Sequence, residues 1–147
     1  MATIYTIDAS VFLNAFNPYE AGHEESRRLL ARMQEQAVPI IVPTLLLPEV
    51  AAAVGRGRDD ADLARCFATR LRKLPHLVLA PLDETLAQQA ADVAAQYRLR
   101  GSDAVYATVA LRFGSTLVTL DREQRDRVAD VIPARWPAEA LAEWRGS

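Results

Sequence analysis

Apolar residues recur along this chain in two alternating periods, and the alternation predicts the elements. TIYTI (residues 3–7) is β-branched and aromatic and ends at Asp8, as a short strand does. HEESRRLLARMQEQ (23–36) instead sets Leu29, Leu30 and Met33 on one face with charges elsewhere, the period of a surface helix. PIIV (39–42) reads as a short buried strand; Thr44 then caps a helix running to Gly55, with Pro48 confined to its first turns. Residues 59–74 form a third helix, with Asp59 or Asp60 as cap and Leu63, Phe67, Arg70 and Leu74 at helical spacing. HLVLA (76–80) is a strand, and Asp83 caps a helix through about Tyr97 with Leu86, Ala90 and Val93 facing inward. SDAVYATVALRFG (102–114) is helical and stopped by Gly114. TLVTL (116–120) is a strand ending at Asp121, a short polar helix follows, and residues 131–144 supply one more small strand and helix.

Short apolar strands separated by helices imply a mostly parallel sheet covered on both faces. The expected fold is therefore an α/β three-layer sandwich with four or five strands. No repeat or linker interrupts the pattern, so a single domain over residues 1–147 is expected. Ligands of such sheets gather at the carboxyl ends of the strands, which turns attention to the acids placed there.

Asp8 and Asp121 each follow a strand directly, Asp103 opens an apolar helix, and Glu49 is the one charged residue between Val38 and Val54. Each admits a plainer role: Asp103 and Asp121 as helix caps, Asp8 as a turn residue, Glu49 as the partner of a buried arginine. Taken together they can converge at one sheet edge. Clustered carboxylates repel by about 4 kcal/mol per pair at ~4 Å and an effective dielectric near ~20, so either their pKa values rise or a cation fills the site. No His or Cys cluster accompanies them, and an all-oxygen set selects Mg²⁺ or Mn²⁺, with positions left for substrate phosphate.

These residues carry a family resemblance. IDASV (Asp8, Ser10), VPTLLLPEVAAAV (Glu49), SDAVYATVA (Asp103) and LVTLDREQ (Thr119, Asp121) occur in the order seen in PIN-domain nucleases, and the chain resembles most closely the VapC-like toxins of bacterial toxin–antitoxin pairs. The resemblance implies a PIN-like fold and a metal-dependent endoribonuclease in which Asp8, Glu49, Asp103 and Asp121 hold the metal or orient its water. It also implies that Ser10 orients Asp8 or touches phosphate and that Thr119 supports Asp121, with Glu123 or Asp126 able to share the fourth acid's role. Homodimerisation and inhibition by a small protein antitoxin belong to the same implication. Single-stranded RNA is the expected substrate, since its bases and backbone splay into a cleft.

Composition adjusts this picture modestly. The net charge of -2 argues against a broadly basic nucleic-acid coat protein but leaves room for a local basic patch. The cations are almost all arginine, with Lys73 the only lysine, and arginine suits bidentate contact with phosphate. Arg56 and Arg58 in GRGR, and Arg98 and Arg100 just before Asp103, are candidates for substrate contact; as plain features they are solvated helix ends. Cys66 is the only cysteine, which excludes an intramolecular disulfide and points to a reducing cytoplasm. The N-terminal residues lack the pattern of a signal peptide, and residues 38–54 are too short and too broken by proline to span a membrane.

Other classes fit less well. A receiver domain needs an acidic pair after its first strand and a lysine after its last. A phosphatase with an aspartyl nucleophile needs a second acid where this chain has Ser10. His23 and His76 read as surface residues and Cys66 as core, so a serine or cysteine hydrolase has no support. The rivals that stand are a PIN-like RNA-processing nuclease without a toxin role and a PIN-fold binding module with feeble catalysis.

Overall fold

The computed structural model describes residues 3–145; residues 1–2 and 146–147, at the ends of the expected domain, lie outside the described residues. In chain order the elements are β1 (Tyr5–Ile7), α1 (Ala9–Phe16), α2 (His23–Glu35), β2 (Ile40–Pro43), α3 (Leu46–Arg58), α4 (Ala61–Arg72), β3 (Leu77–Ala80), α5 (Glu84–Tyr97), α6 (Gly101–Phe113), β4 (Thr116–Val118), α7 (Arg122–Val128), β5 (Ala134–Arg135) and α8 (Pro137–Arg145). The five strands form one sheet in the order β3-β2-β1-β4-β5, and every pairing is parallel. The expected α/β sandwich is therefore what the chain adopts, with five strands.

Strand parity distributes the core between the two faces. Ile41 joins Val109 of α6 and Leu86 of α5 in a small cluster. Its neighbours Ile40 and Val42 point the other way, as the two-residue period requires, and enter the main cluster with Phe12, Leu29 and Met33. Helix α6 is buried from Asp103 through Ala110 without interruption, the pattern of a helix enclosed on all sides rather than lying on a surface. It packs on β1, β2 and β4 with α5 beside it. Across the sheet, β1 is the strand at which the order reverses: β2 and β3 lie on one side, β4 and β5 on the other. That reversal opens a crevice at the carboxyl ends of β1 and β4.

Several expectations are corrected. The hydrophobic pattern predicts no element over residues 9–22, yet α1 fills 9–16. It is only eight residues long and has no acid in its first turn or base in its last, so it lacks the marks that make longer helices legible. Thr44 does not cap α3; its hydroxyl accepts the Leu82 N–H at 3.0 Å, tying the end of β2 to the segment after β3. Helix α3 runs through Gly55 to Arg58, and Asp59 ends it in a left-handed conformation (φ 49°). Gly55 is a packing contact instead of a stop, since a Cβ there would lie 3.7 Å from that of Ala64 in α4. Of the two candidate caps for α4, Asp60 takes the Leu63 N–H at 3.0 Å. Cys66, expected in the core, is exposed: the inner face of α4 runs through Ala64, Phe67, Ala68 and Leu71, which turns position 66, and Arg70 with it, outward. Both histidines are half-buried rather than on the surface. His23 Nδ1 lies 2.9 Å from the Asn14 carbonyl, and His76 borders an apolar cavity with Phe12 and Leu74. The caps expected of Asp83 and the stop expected of Gly114 (φ 63°) are present.

Candidate active site

Asp8 leaves β1 at the point where the sheet order reverses and becomes the first residue of the cap of α1. Its backbone N–H still donates to Val118 of β4 at 3.0 Å, so the sheet ladder fixes where the side chain emerges. Two hydroxyls converge on its Oδ2: Ser10 Oγ donates at 2.6 Å and Thr119 Oγ1 at 3.2 Å. The same hydroxyls also accept backbone N–H groups, Ser10 from Leu120 at 3.2 Å and Thr119 from Asp121 at 3.0 Å. Ser10 and Thr119 thus stitch the end of β1 to the end of β4. Thr119 meets Asp121 through that residue's backbone, and its hydroxyl hydrogen goes to Asp8. Burial raises the Asp8 pKa, against the lowering effect of the Ser10 and Thr119 bonds.

Glu49 lies on the first turns of α3 and reaches the same crevice. The partner of this carboxylate is Tyr106, whose hydroxyl donates to Oε1 at 2.7 Å; the buried arginine that would have explained it plainly is not what it meets. Tyr106 is fully buried in α6, and a buried tyrosine hydroxyl requires an acceptor. Burial is the main cause of the raised Glu49 pKa, with the charges of Asp8 and Asp103 adding to it. The Tyr106 hydroxyl is itself made less acidic by its burial and by Glu49.

Asp103 sits in the first turn of α6 and Asp121 caps α7, accepting the Gln124 N–H at 3.0 Å. Asp121 is therefore a cap and a cleft acid at once. Arg100 spans the two carboxylates: Nε lies 3.3 Å from Asp103 Oδ2, and Nη2 lies 2.5 Å from Asp121 Oδ2. The arginine is 73% exposed while the two acid side chains are only 11% and 18% exposed, so it lies over them as a lid of charge on the solvent side. Even so, desolvation and then the charges of Asp8 and Asp121 push the Asp103 pKa up to about 6. Gln124, wholly buried, completes the frame by donating its amide to the Asp103 carbonyl at 3.0 Å.

All four acids line one cleft of about 680 Å³, together with Ser10, Arg56 and Arg100. Thr119 stands behind Asp8, wholly buried. Arg58 lines an adjoining cavity. Arg98 borders neither; it caps α5 in a left-handed conformation (φ 58°), and its carbonyl accepts from Arg127. Glu123 and Asp126 face outward on α7, paired with Arg127 at 3.3 Å and Arg122 at 3.6 Å. Tyr106 and Gln124 are the site residues that sequence reasoning passed over. The available signals were a lone tyrosine in an apolar helix one turn after Asp103, and a glutamine one turn after Asp121.

The donor set suits a hard cation: every candidate ligand is a carboxylate oxygen, and three of the four acids have pKa values raised by burial, two of them also by neighbouring acids. A divalent ion would relieve that repulsion. Among the described residues no three acids, histidines or cysteines close to common-ligand spacing, and Arg100 supplies positive charge to Asp103 and Asp121.

With this geometry in place, comparison with known proteins is direct. No curated protein sequence matches the chain. Among solved structures it is similar to PAE2754 from Pyrobaculum aerophilum, with a TM-score of 0.70, 24% identity and 100% of both chains covered. It is similar to Mycobacterium tuberculosis VapC20, a sarcin-ricin loop cleaving toxin, with a TM-score of 0.70 and 18% identity over 87% of this chain and 95% of that one. VapBC2 from Rickettsia felis, bound to a DNA fragment from its promoter, gives 0.67 and 14% over 90% and 98%. The family description "PIN domain" matches residues 5–130, from β1 through α7 and including all four cleft acids, and the chain belongs to that family.

Proposed function

We propose that this protein is a metal-dependent endoribonuclease and the toxin of a toxin–antitoxin pair. One observation carries the reading: Asp8, Glu49, Asp103 and Asp121, from four different elements, line one cleft at the reversal point of a parallel sheet. The likeness to VapC20 and to toxin–antitoxin complexes supports the toxin role and a small protein antitoxin as partner; a homodimer is the working form that the family resemblance implies. RNA as substrate rests on the same likeness and on the openness of the cleft.

The four acids would hold Mg²⁺ or Mn²⁺. When bound, such an ion lowers the pKa of water and neutralises charge on the phosphodiester and its leaving oxygen. The chain's own groups do the positioning. Ser10 and Thr119 hold Asp8 in one rotamer from behind. Tyr106 occupies Glu49 Oε1, leaving Oε2 as the atom able to orient the attacking water or take its proton. Arg100, exposed on the solvent side of Asp103 and Asp121, is placed to meet a substrate phosphate at the mouth of the cleft. The Arg100 clasp is also the observation that favours a second reading, a PIN-fold binding module with weak catalysis.

The test is cleavage of defined RNAs with Mg²⁺ or Mn²⁺ by wild type, Asp8→Asn and Glu49→Gln. Equal activity in all three removes the assignment. Growth arrest on expression, with co-purification of a small partner, separates a toxin from a processing nuclease.

A further inference from the structure

The cleft does not end at the carboxylates. Helix α3 presents to it Glu49, Ala52, Ala53 and Arg56, residues spaced three and four apart and hence on one face. Arg56 stands two turns beyond Glu49, about 10 Å along the axis at ~1.5 Å per residue, with only alanine methyls on α3 between them. Leu13 of α1 lines the same space. Leu13 and Ala53 also border the adjoining cavity of about 250 Å³, which continues past Phe16 to Arg58. The two spaces form one trough between α1 and α3, running from the acids to the end of α3.

The trough ends in available positive charge. Arg56 and Arg58 are exposed, and among the described residues neither has a carboxylate partner. Arg27, Arg65, Arg100, Arg125 and Arg135, by contrast, each hold an acid. Arg58 is instead laid over an aromatic ring, its guanidinium carbon 5.5 Å from the centroid of Phe16, and Phe16 is braced by Phe67 at 4.7 Å. A guanidinium held in this way is a flat cationic platform. A polyanion crossing four acids needs cations beside them, and arginine meets phosphate with a planar fork and bases with a planar face.

Resting on the ribonuclease reading above, we infer that the α1–α3 trough carries the RNA strand beyond the scissile phosphate. Arg56 takes a neighbouring phosphate, and Arg58, seated on Phe16, receives a base on its guanidinium plane. The occupant is a single strand, because a base must be unpaired and splayed to stack on a side chain.

The test uses full-length Asp8→Asn protein, so that RNA stays intact. It is titrated over a salt series with a labelled mixed-sequence single-stranded oligoribonucleotide of about a dozen nucleotides, and with the same sequence as a duplex. Arg56→Gln, Arg58→Gln and Arg58→Lys are added in turn, with Arg28→Gln on α2 as control and circular dichroism to verify folding. Arg56→Gln should weaken strand binding about tenfold and reduce the salt slope by about 0.7, one single-strand phosphate. Arg58→Lys should keep the slope yet bind about fivefold more weakly, because the charge survives and the platform does not. Duplex should bind more weakly than strand and ignore Arg58. If the strand binds and cleavage by the unaltered protein is intact, but all trough variants match the control, the trough assignment is wrong and the ribonuclease reading stands. If the strand is neither bound nor cut, both are wrong. If the variants bind RNA normally but release an acidic protein that co-purifies with wild type, the trough is a protein surface and the inference is overturned.

Discussion

Two charged regions of this molecule are built on opposite plans. Along α7, β5 and α8, acids and arginines neutralise one another: Arg125 meets Glu139 at 2.8 Å, Arg135 meets Glu143 at 2.5 Å, and Arg127 meets Glu123 at 3.3 Å. At the ends of β1 and β4, acids face acids, and the side chains they meet are the hydroxyls of Ser10, Thr119 and Tyr106 and the exposed Arg100. The first region is balanced in itself. The second is a cluster whose charge is left for something outside the chain, and it is maintained because the strand ends and the buried α6 leave the side chains nowhere else to go.

The contrast breaks most sharply at Asp8 and Glu49. Asp8→Asn should lower RNA cleavage by about 10³-fold and Glu49→Gln by about 10²-fold, typical losses when a ligand or base is neutralised, measured as single-turnover rates. Arg125→Ala in the balanced region should leave the rate unchanged and cost under about 1 kcal/mol of stability, the ordinary value of a partly exposed pair.

The next effect is on stability against pH. Asp103 has its pKa raised to about 6, and Asp8 and Glu49 are raised in the same direction. The native state therefore binds more protons than the unfolded chain between the ordinary carboxylate value and about 6, and stability falls as pH rises through that window. In the presence of chelator, melting temperature should rise by about 4 °C relative to Asp103→Asn as pH is lowered from about 7 to about 5, an upper bound of about 1.3 kcal/mol for one carboxyl. Added Mg²⁺ should flatten the difference. A wild-type curve parallel to that of Asp103→Asn would refute the repulsion.

Tyr106→Phe removes only the donor to Glu49. Cleavage should fall about tenfold while stability moves by about 1 kcal/mol or less; equal losses in both would mean that the hydroxyl is structural. The smallest effect belongs to Arg100→Ala, which removes the competitor of the cation. Mn²⁺ affinity, read by titration calorimetry, should rise about threefold, with little change in melting because the arginine is so exposed.

The fold and the four acids were legible because their signals are local. β-branched runs end at Asp8 and Asp121, and a lone Glu49 interrupts an apolar stretch. What escaped the sequence depends on tertiary packing. Helix α1 has no side-chain cap, no acid in its first turn and no base in its last. Thr44 sits where a cap belongs, but β3 brings Leu82 to its hydroxyl. Cys66 follows from which face of α4 turns inward. Arg100 is by sequence a candidate for substrate contact, and its position over Asp103 and Asp121 follows only from where α6 starts, beside the end of β4. Tyr106 carries no sequence signal beyond that of a core residue, and in its ring it is one.

That double character of Tyr106 has a consequence for how this chain tolerates change. Its ring fills the middle of the molecule while its oxygen alone touches a cleft acid, Glu49, so folding and chemistry read different atoms of one residue. A screen that scores only soluble expression would accept phenylalanine at this position. One that scores growth arrest would reject it, and the disagreement between the two screens would map, position by position, where the interior stops being scaffold.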